Sequence, residues 1–275
     1  DGKFSKFGFT LGSRWERYQV DLKKESKPVL RVGTHYKIIN GSHLRSSLAQ
    51  GYRFPSVAEM YSASSAGELQ VFPNPNVNPE SGWTAEIGFK QLFNFKSKLK
   101  GYLDVALFQT RFNDMMEFTF GKWDTVSGAT LSNYGFKSLN VGPTRISGIE
   151  TTLAGEINIG GVNIQSMIGH TYANPISLKP NSIYEMDSDG EEMSFNSTSL
   201  DPSLRMLKYR YRNTLKSDVQ VLWKRWSVGM SIRYNSFMEN IDKVFTDPLI
   251  SIYVPGVQDS RYNMSKGDMF VDLRS

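Results

Sequence analysis

Apolar and polar residues alternate one by one along much of the chain. Between Trp226 and Asn235, Trp226, Val228, Met230, Ile232 and Tyr234 fall on one side and Ser227, Gly229, Ser231, Arg233 and Asn235 on the other. Leu30, Val32, Tyr36 and Ile38 alternate with Arg31, Gly33, His35 and Lys37, and Phe7, Phe9, Leu11 and Trp15 with Gly8, Thr10, Gly12 and Arg14. Trp83, Ala85, Ile87 and Phe89 oppose Thr84, Glu86, Gly88 and Lys90 in the same way. A period of two is the signature of strands with two unlike faces, so the pattern predicts an all-β chain.

Ten strands are expected, at roughly 5–21, 28–39, 43–53, 81–93, 98–113, 143–156, 161–173, 208–223, 226–237 and 266–275. Most are ten residues or longer, beyond the usual five or six of globular sheets. The segment 98–113 is apolar on both faces, since Leu103, Val105 and Leu107 alternate with Tyr102, Ala106 and Phe108. It is expected to touch a plug or a loop inside.

Alternation alone does not separate a water-facing sheet from a lipid-facing one, because a soluble β-sandwich alternates too. The connections do. Asn40–Ser42, Asn94–Ser97, Ile157–Gly160 and Lys224–Arg225 are tight, whereas 54–80, 114–142, 174–207 and 238–265 are long. Short turns at one end and long loops at the other are the rhythm of a transmembrane β-barrel. The connection at 22–27 breaks it, being short where a long loop is expected. Trp223 and Trp226 flank one tight turn, where an interfacial aromatic girdle belongs.

Composition narrows the classes. Mean hydropathy is -0.38 and no run of about 18 apolar residues occurs, which excludes a helical span but not a barrel. Cysteine is absent, removing disulfides, thiolate metal sites and cysteine nucleophiles. Thirteen Tyr and 17 Phe suit aromatic girdles. The net charge of +5 is scattered along the chain, so no nucleic-acid partner is expected. His35, His43 and His170 lie far apart, and no nucleophile elbow, zinc-protease helix or phosphate loop is present, so neither an enzyme nor a cofactor is expected. Asp187-Ser188-Asp189-Gly190-Glu191-Glu192 lacks the spacing of an EF-hand and reads as a solvated loop, leaving no expected metal site.

Three segments carry a family resemblance. GYRFPSVAEMY at Gly51–Tyr61, NPNVNPE at Asn74–Glu80 and NVGPTRISGIE at Asn140–Glu150 resemble, in order, the barrel signature of TonB-dependent outer-membrane receptors. Its matching positions here are Phe54, Pro55, Ser56, Glu59, Asn74, Pro75, Pro79, Glu80, Gly148 and Glu150. Independently of any family, Pro55, Pro73, Pro75 and Pro79 cannot donate ladder hydrogen bonds and hold the excursion out of the sheet. Gly148 admits a close neighbour. Arg53 and Glu80, at the two ends of the excursion, are expected to pair across its base.

The resemblance implies a bacterial outer-membrane location and a 22-stranded antiparallel barrel. This chain would form a single partial-barrel domain over 1–275, about ten strands numbered roughly eleven to twenty, with the plug domain and final strands absent. The chain opens at Asp1-Gly2-Lys3 without a signal peptide and stops in an expected strand, in keeping with a segment of a longer protein. The implied function is active uptake of a scarce small-molecule nutrient driven by TonB, acting through a plug-borne TonB box. The motif form is more similar to siderophore, haem and cobalamin receptors than to glycan importers, which points to a ferric chelate. Outer-membrane lipids are expected partners, with a surface lipoprotein or complex subunits as further candidates. A passive porin, a scaffold or secretion subunit and a soluble β-sandwich adhesin are the rival readings. By position, Tyr52, Arg53, Tyr61, Trp123, Tyr134, His170 and Tyr172 are the candidate ligand contacts.

Overall fold

A computed structural model describes residues 6–21, 23–66, 69–95, 98–124, 133–263 and 265–275. In chain order its elements begin with β1 (Phe7–Val20), β2 (Lys23–Ile39), β3 (Ser42–Arg53), α1 (Val57–Tyr61), β4 (Ser64–Ala66) and β5 (Leu69–Phe72). Then come β6 (Glu80–Phe95), β7 (Leu99–Lys122), β8 (Tyr134–Ile159), β9 (Val162–Ser177), β10 (Glu185–Met186), β11 (Glu192–Met193) and α2 (Phe195–Thr198). The last are β12 (Asn213–Trp223), β13 (Trp226–Asn235), a 3-10 turn (Lys243–Thr246), α3 (Pro248–Tyr253), α4 (Val257–Asn263) and β14 (Asp268–Arg274).

Ten of the strands form one antiparallel sheet in the order β1-β2-β3-β6-β7-β8-β9-β12-β13-β14, with β1 and β14 at its edges. Taken in chain order, each of these ten strands pairs with the next, the short β4, β5, β10 and β11 lying in the loops between, which is the up-and-down topology of an opened barrel wall. Among the described residues no helix is long and apolar enough to cross a membrane.

Register turns the alternation of single strands into two continuous faces. One cross-strand row runs Phe7, Tyr36, Leu44, Phe89, Val105, Thr151, His170, Leu215, Tyr234 and Met269. Leu107 and Ile149 belong to the next row on this side, and Leu103, Leu153, Ile168, Ile232 and Val271 to the one below. Many of these side chains are exposed, among them Phe7, Leu107, Leu153, Ile168 and Val271. A mostly apolar face left open over so many strands, with Thr151, His170 and Ser217 as its polar breaks, is a lipid-facing surface.

The opposite, concave face is polar and internally paired. Arg45 reaches Glu86 at 3.0 Å and Asp104 at 2.7 Å, and Arg274 reaches Asp218 at 2.8 Å. Phe108 also sits there. A Cβ at Gly148 would collide with the Phe108 ring and the Tyr172 carbonyl, so the close approach expected at this glycine is present. A cleft of about 720 Å3 opens on this side toward the tight turns, lined by Tyr102, Met167 and Asp218 among others.

At the tight Lys224–Arg225 turn Lys224 adopts φ 54°, and Trp223 pairs with Trp226. Both rings are exposed, with Lys224 Nζ 5.2 Å from one ring centre and the Arg225 guanidinium 5.8 Å from the other. Indoles that keep an apolar edge in lipid and a cationic neighbour in water mark a membrane interface.

Two expectations change. The stretch 114–142 is strand for most of its length, because β7 runs on to Lys122 and β8 begins at Tyr134. A double register shift at Phe112, Met115 and Met116 hides this from the pattern by breaking the alternation. Most of the anomalous 22–27 connection is strand as well, for β2 already starts at Lys23 and pairs Lys23–Lys27 with Glu16–Val20, residue 22 lying outside the described residues. Standing beyond the apolar band, those residues have no lipid-facing side to make hydrophobic.

Met230 lies within the apolar face and Thr171 on the concave one. In the full-length protein, Met230→Arg is expected to lower stability by about 2–4 kcal/mol, and Thr171→Arg by less than about 1 kcal/mol. Urea-induced unfolding from lipid vesicles measures both. Equal losses would mean that the outward face is assigned to the wrong side.

Candidate functional site

The site is built at the loop-bearing end, where the family-like segments meet. Ser56 caps α1: its hydroxyl accepts from Glu59 N at 3.2 Å, and the Glu59 carboxylate accepts from Ser56 N at 2.8 Å. This reciprocal capping box gives a five-residue helix a fixed start that its length alone would not sustain. The same carboxylate takes Arg53 Nη1 at 2.7 and 2.9 Å. Burial pushes the Glu59 carboxyl up, but the Ser56 amide and the Arg53 guanidinium outweigh it and hold the group below the usual carboxylate range.

Arg53 Nε donates to Glu80 Oε2 at 2.6 Å, so the pairing expected across the base of the excursion is formed. The other Glu80 oxygen accepts from Met116 N at 2.6 Å, tying that base to the bulge in β7. Asn74 donates to Ser138 O at 2.8 Å and closes a turn on Asn76 N. Asn140 uses its whole amide, accepting from Asn78 N at 2.7 Å and donating to Asn78 O at 3.0 Å. The three segments, far apart in sequence, are therefore one clamp that fixes the 54–80 loop on the upper β7–β8 hairpin.

That hairpin carries three small cores. Met116 packs with Phe54, Met60 and Val77, and Val20 from the β1–β2 tip joins them. Met115 packs with Phe195 and Leu207, and Phe120 with Ile250. The bulge is what sends two consecutive methionines into different cores. The loop also adds β5 in parallel to β8, with Gln70 opposite Gly135, where any Cβ would strike the Gln70 carbonyl.

A buried polar network joins the other two loops. Lys208 pairs with Asp242, both almost fully buried, and Tyr209 donates its hydroxyl to Asp242 Oδ2 at 2.6 Å. Lys208 also reaches Thr198 Oγ1 at 3.2 Å, and the fully buried Asn240 donates to Met206 O at 2.7 Å. Arg212 grips Glu239 in two-pronged fashion at 2.7 and 2.8 Å. Burial alone would push the Lys208 ammonium down, yet Asp242 opposes it and holds it above the usual lysine range. The stability this charge contributes is fully present below the unfolded lysine pKa of about 10.4 and is lost only as pH rises through the higher folded value. The ammonium therefore keeps its charge across neutral pH. Burial, and then Asp242, raise the Tyr209 phenol as well, so it remains a donor.

The candidate contacts fall into three places. Tyr52 lies against Tyr18 and under Lys27, and Tyr61 donates to Asp21 at 2.6 Å, both at the 54–80 loop where Arg53 is held between Glu59 and Glu80. Trp123 and Tyr134 stand at the β7–β8 tip, Trp123 donating to Gly135 O at 3.0 Å beneath Lys137. His170 and Tyr172 share the outward face with Ile168, and His170 bonds to Asn213 at 3.1 Å. Glu150 is on the concave side, opposite Ala106 and Thr171. Asp187 closes its own loop by accepting from Asp189 N and Glu191 N, both at 2.9 Å, while Asp189 pairs with Lys122 at 2.7 Å. Among the described residues no acidic or histidine cluster fit for a metal forms. Lys208, Tyr209, Arg212, Glu239, Asn240 and Asp242 were not expected from sequence. For the first three the trace there is the dense run of charge and aromatics at 205–212; Glu239, Asn240 and Asp242 leave none.

Comparison with known proteins bears on the fold. The family profile described as TonB dependent receptor-like, beta-barrel covers residues 2–258. The hemoglobin and hemoglobin-haptoglobin-binding protein A of Haemophilus influenzae is 23% identical over 142 residues, 51% of this chain and 12% of that protein. Among solved structures, a double mutant of the Serratia marcescens hemophore receptor HasR, in complex with its hemophore HasA and heme, has a TM-score of 0.51 at 12% identity over 83% of this chain and 39% of that one. The ferric enterobactin receptor PfeA of Pseudomonas aeruginosa, a mutant in complex with enterobactin, has 0.51 at 15% over 88% and 32%. The FrpB iron transporter of Neisseria meningitidis, as apoprotein, has 0.51 at 13% over 98% and 36%. At these identities the structural likeness speaks for the fold alone, and the chain spans well under half the length of each relative.

Two outcomes are expected from the contacts above. Asp242→Asn, which leaves Lys208 buried without its counter-charge, is expected to cost about 3–5 kcal/mol, and Lys208→Met with Asp242→Leu to recover most of it. Chemical unfolding of the full-length variants measures this; a double variant no better than the single one would show that the network, not the charge, sets the stability. For the clamp, a double-mutant cycle on Arg53→Met and Glu80→Gln is expected to give a coupling of about 1 kcal/mol, and additive losses would deny the pairing any energetic role.

Proposed function

The chain belongs to the TonB-dependent receptor β-barrel family, and on that premise we propose that it supplies part of the barrel wall and the extracellular loops of an active importer for a metal chelate, first of all a ferric siderophore. The family's members are outer-membrane receptors and transporters rather than enzymes, and the chain is an outer-membrane β-barrel segment. Its tight turns then lie on the periplasmic side and its long loops on the extracellular side.

One observation carries the proposal: the three signature segments, inside a profile match over residues 2–258, converge physically on a single loop clamp. The choice of a metal chelate leans on the heme and enterobactin of two structural neighbours, and the haemoglobin-binding relative keeps haem as the second choice. In this reading TonB pulls on a plug seated against the polar concave wall. Binding and release need no bond of the nutrient to break.

Ligand contacts are proposed at the loop end, from Tyr61, Trp123 and Tyr134. Arg53 is committed to two carboxylates and acts as a brace. Tyr52 is packed against Tyr18, and we assign it the same bracing part.

The test is uptake of radioactive iron by a deletion strain complemented with the full-length gene. Loss of ferric-siderophore uptake on deletion, and a severalfold weaker apparent affinity for Trp123→Ala with unchanged protein level, is the expected result. Rescue by haem alone would move the assignment to haem. No defect on any scarce nutrient, together with stoichiometric partners on purification, would replace transport by a scaffold role.

A further inference from the structure

The outward face changes character near the extracellular end. The row Ile87, Leu107, Ile149 and Tyr172 is followed by Ala85, Gln109, Ser147 and Asn174, and then by Trp83, Arg111, Arg145 and Ile176. Apolar residues thus give way to a short polar step, in which Ser147 donates to Gln109 at 3.3 Å, and then to two arginines directly opposite one another. This is the level at which a hydrocarbon layer ends and headgroups begin.

Two like charges placed directly across a strand pair repel, and among the described residues no carboxylate offsets that here. Arg111 is exposed and Arg145 half-buried; among the described residues neither is paired with a carboxylate. The Arg145 Nε is buried and has no hydrogen-bond partner. Other arginines of the chain contrast with this: Arg45, Arg53, Arg212 and Arg274 each hold a carboxylate within 3.0 Å. A buried donor left unmatched beside a repelling cation calls for an anion that the protein itself does not supply. Two guanidinium forks on neighbouring strands suit the tetrahedral oxygens of a phosphate, and Trp83, next along the row, offers an amphipathic ring at headgroup depth.

We propose that Arg111 and Arg145 form a phosphate-binding site for an anionic lipid of the outer leaflet, held against the outside of the barrel wall. The site rests on the outer-membrane location and is independent of which nutrient is carried. Its ligand lies on the lipid side of the wall, so the bound lipid does not enter the transport path.

The test uses the full-length protein in detergent, exchanged with phosphorylated lipid A or with the same glycolipid stripped of phosphate, and native mass spectrometry to count retained lipid. The wild type is expected to retain the phosphorylated form alone, and Arg111→Gln with Arg145→Gln to weaken retention about thirtyfold at an unchanged unfolding midpoint. Arg111→Lys with Arg145→Lys, which keeps both charges, is expected to recover retention. The proposal is overturned if the stripped glycolipid is held as well, if the glutamine variant loses nothing, or if the lysine variant recovers nothing. Displacement by inorganic phosphate in modest excess would make this a free-anion site and remove the lipid.

Discussion

Within the hydrocarbon layer no water is present to satisfy a peptide group, so each N–H and C=O of this chain has to find its partner on a neighbouring strand. The long antiparallel ladder from β1 to β14 follows from that requirement, and so does the alternation of side chains, since a strand paired on both edges has only its two faces left to vary. One face meets lipid and is apolar. The other meets water or protein and can hold Arg45 between Glu86 and Asp104. The sheet described has two edge strands, and closing it requires further strands to pair with them.

Above the membrane the constraint lifts, and another kind of order replaces it. The β7–β8 hairpin rises past the sheet and serves as a post to which three loops are fastened by small apolar cores, by hydrogen bonds donated by Asn74 and Asn140, and by the Glu80 carboxylate accepting from Met116 N. The loops behind it are joined by a buried pair that costs much to break and so specifies one arrangement more than it adds net stability. Lys208 on Asp242 plays this part, while the partly exposed Arg212–Glu239 pair beside it adds reach more than burial.

What the sequence made legible follows the same division. Inside the membrane, alternation is a physical necessity, and the ten sheet strands could be read from it; the turn expected at Asn94–Ser97 lies partly outside the described residues. The first strand's partner was cut short at Pro28 because Lys23–Lys27 has no reason to alternate where both faces are wet. The upper hairpin was missed because Asn113-Asp114-Met115-Met116 shifts register, so the pattern that would announce a strand stops just where the strand continues. At the other extreme β12 begins at Asn213 and not near 208, because Tyr209 takes φ 58° and its neighbours turn into the buried network. The Arg53–Glu80 pair could be anticipated since the two residues bound one excursion. Lys208 and Asp242 come from different loops, and nothing local records that they meet.

The paired methionines at the bulge bear on how such a surface can diversify. Met115 and Met116 are adjacent in the chain yet anchor different loops, so one short stretch of backbone sets the positions of both. Loop tips are free to vary in residue and length while their roots stay moored to a shared timber. Change at this surface would therefore rewrite the tips and leave this joint alone, whereas transplanting one loop into a relative without its stretch of hairpin would deliver the right residues at the wrong height.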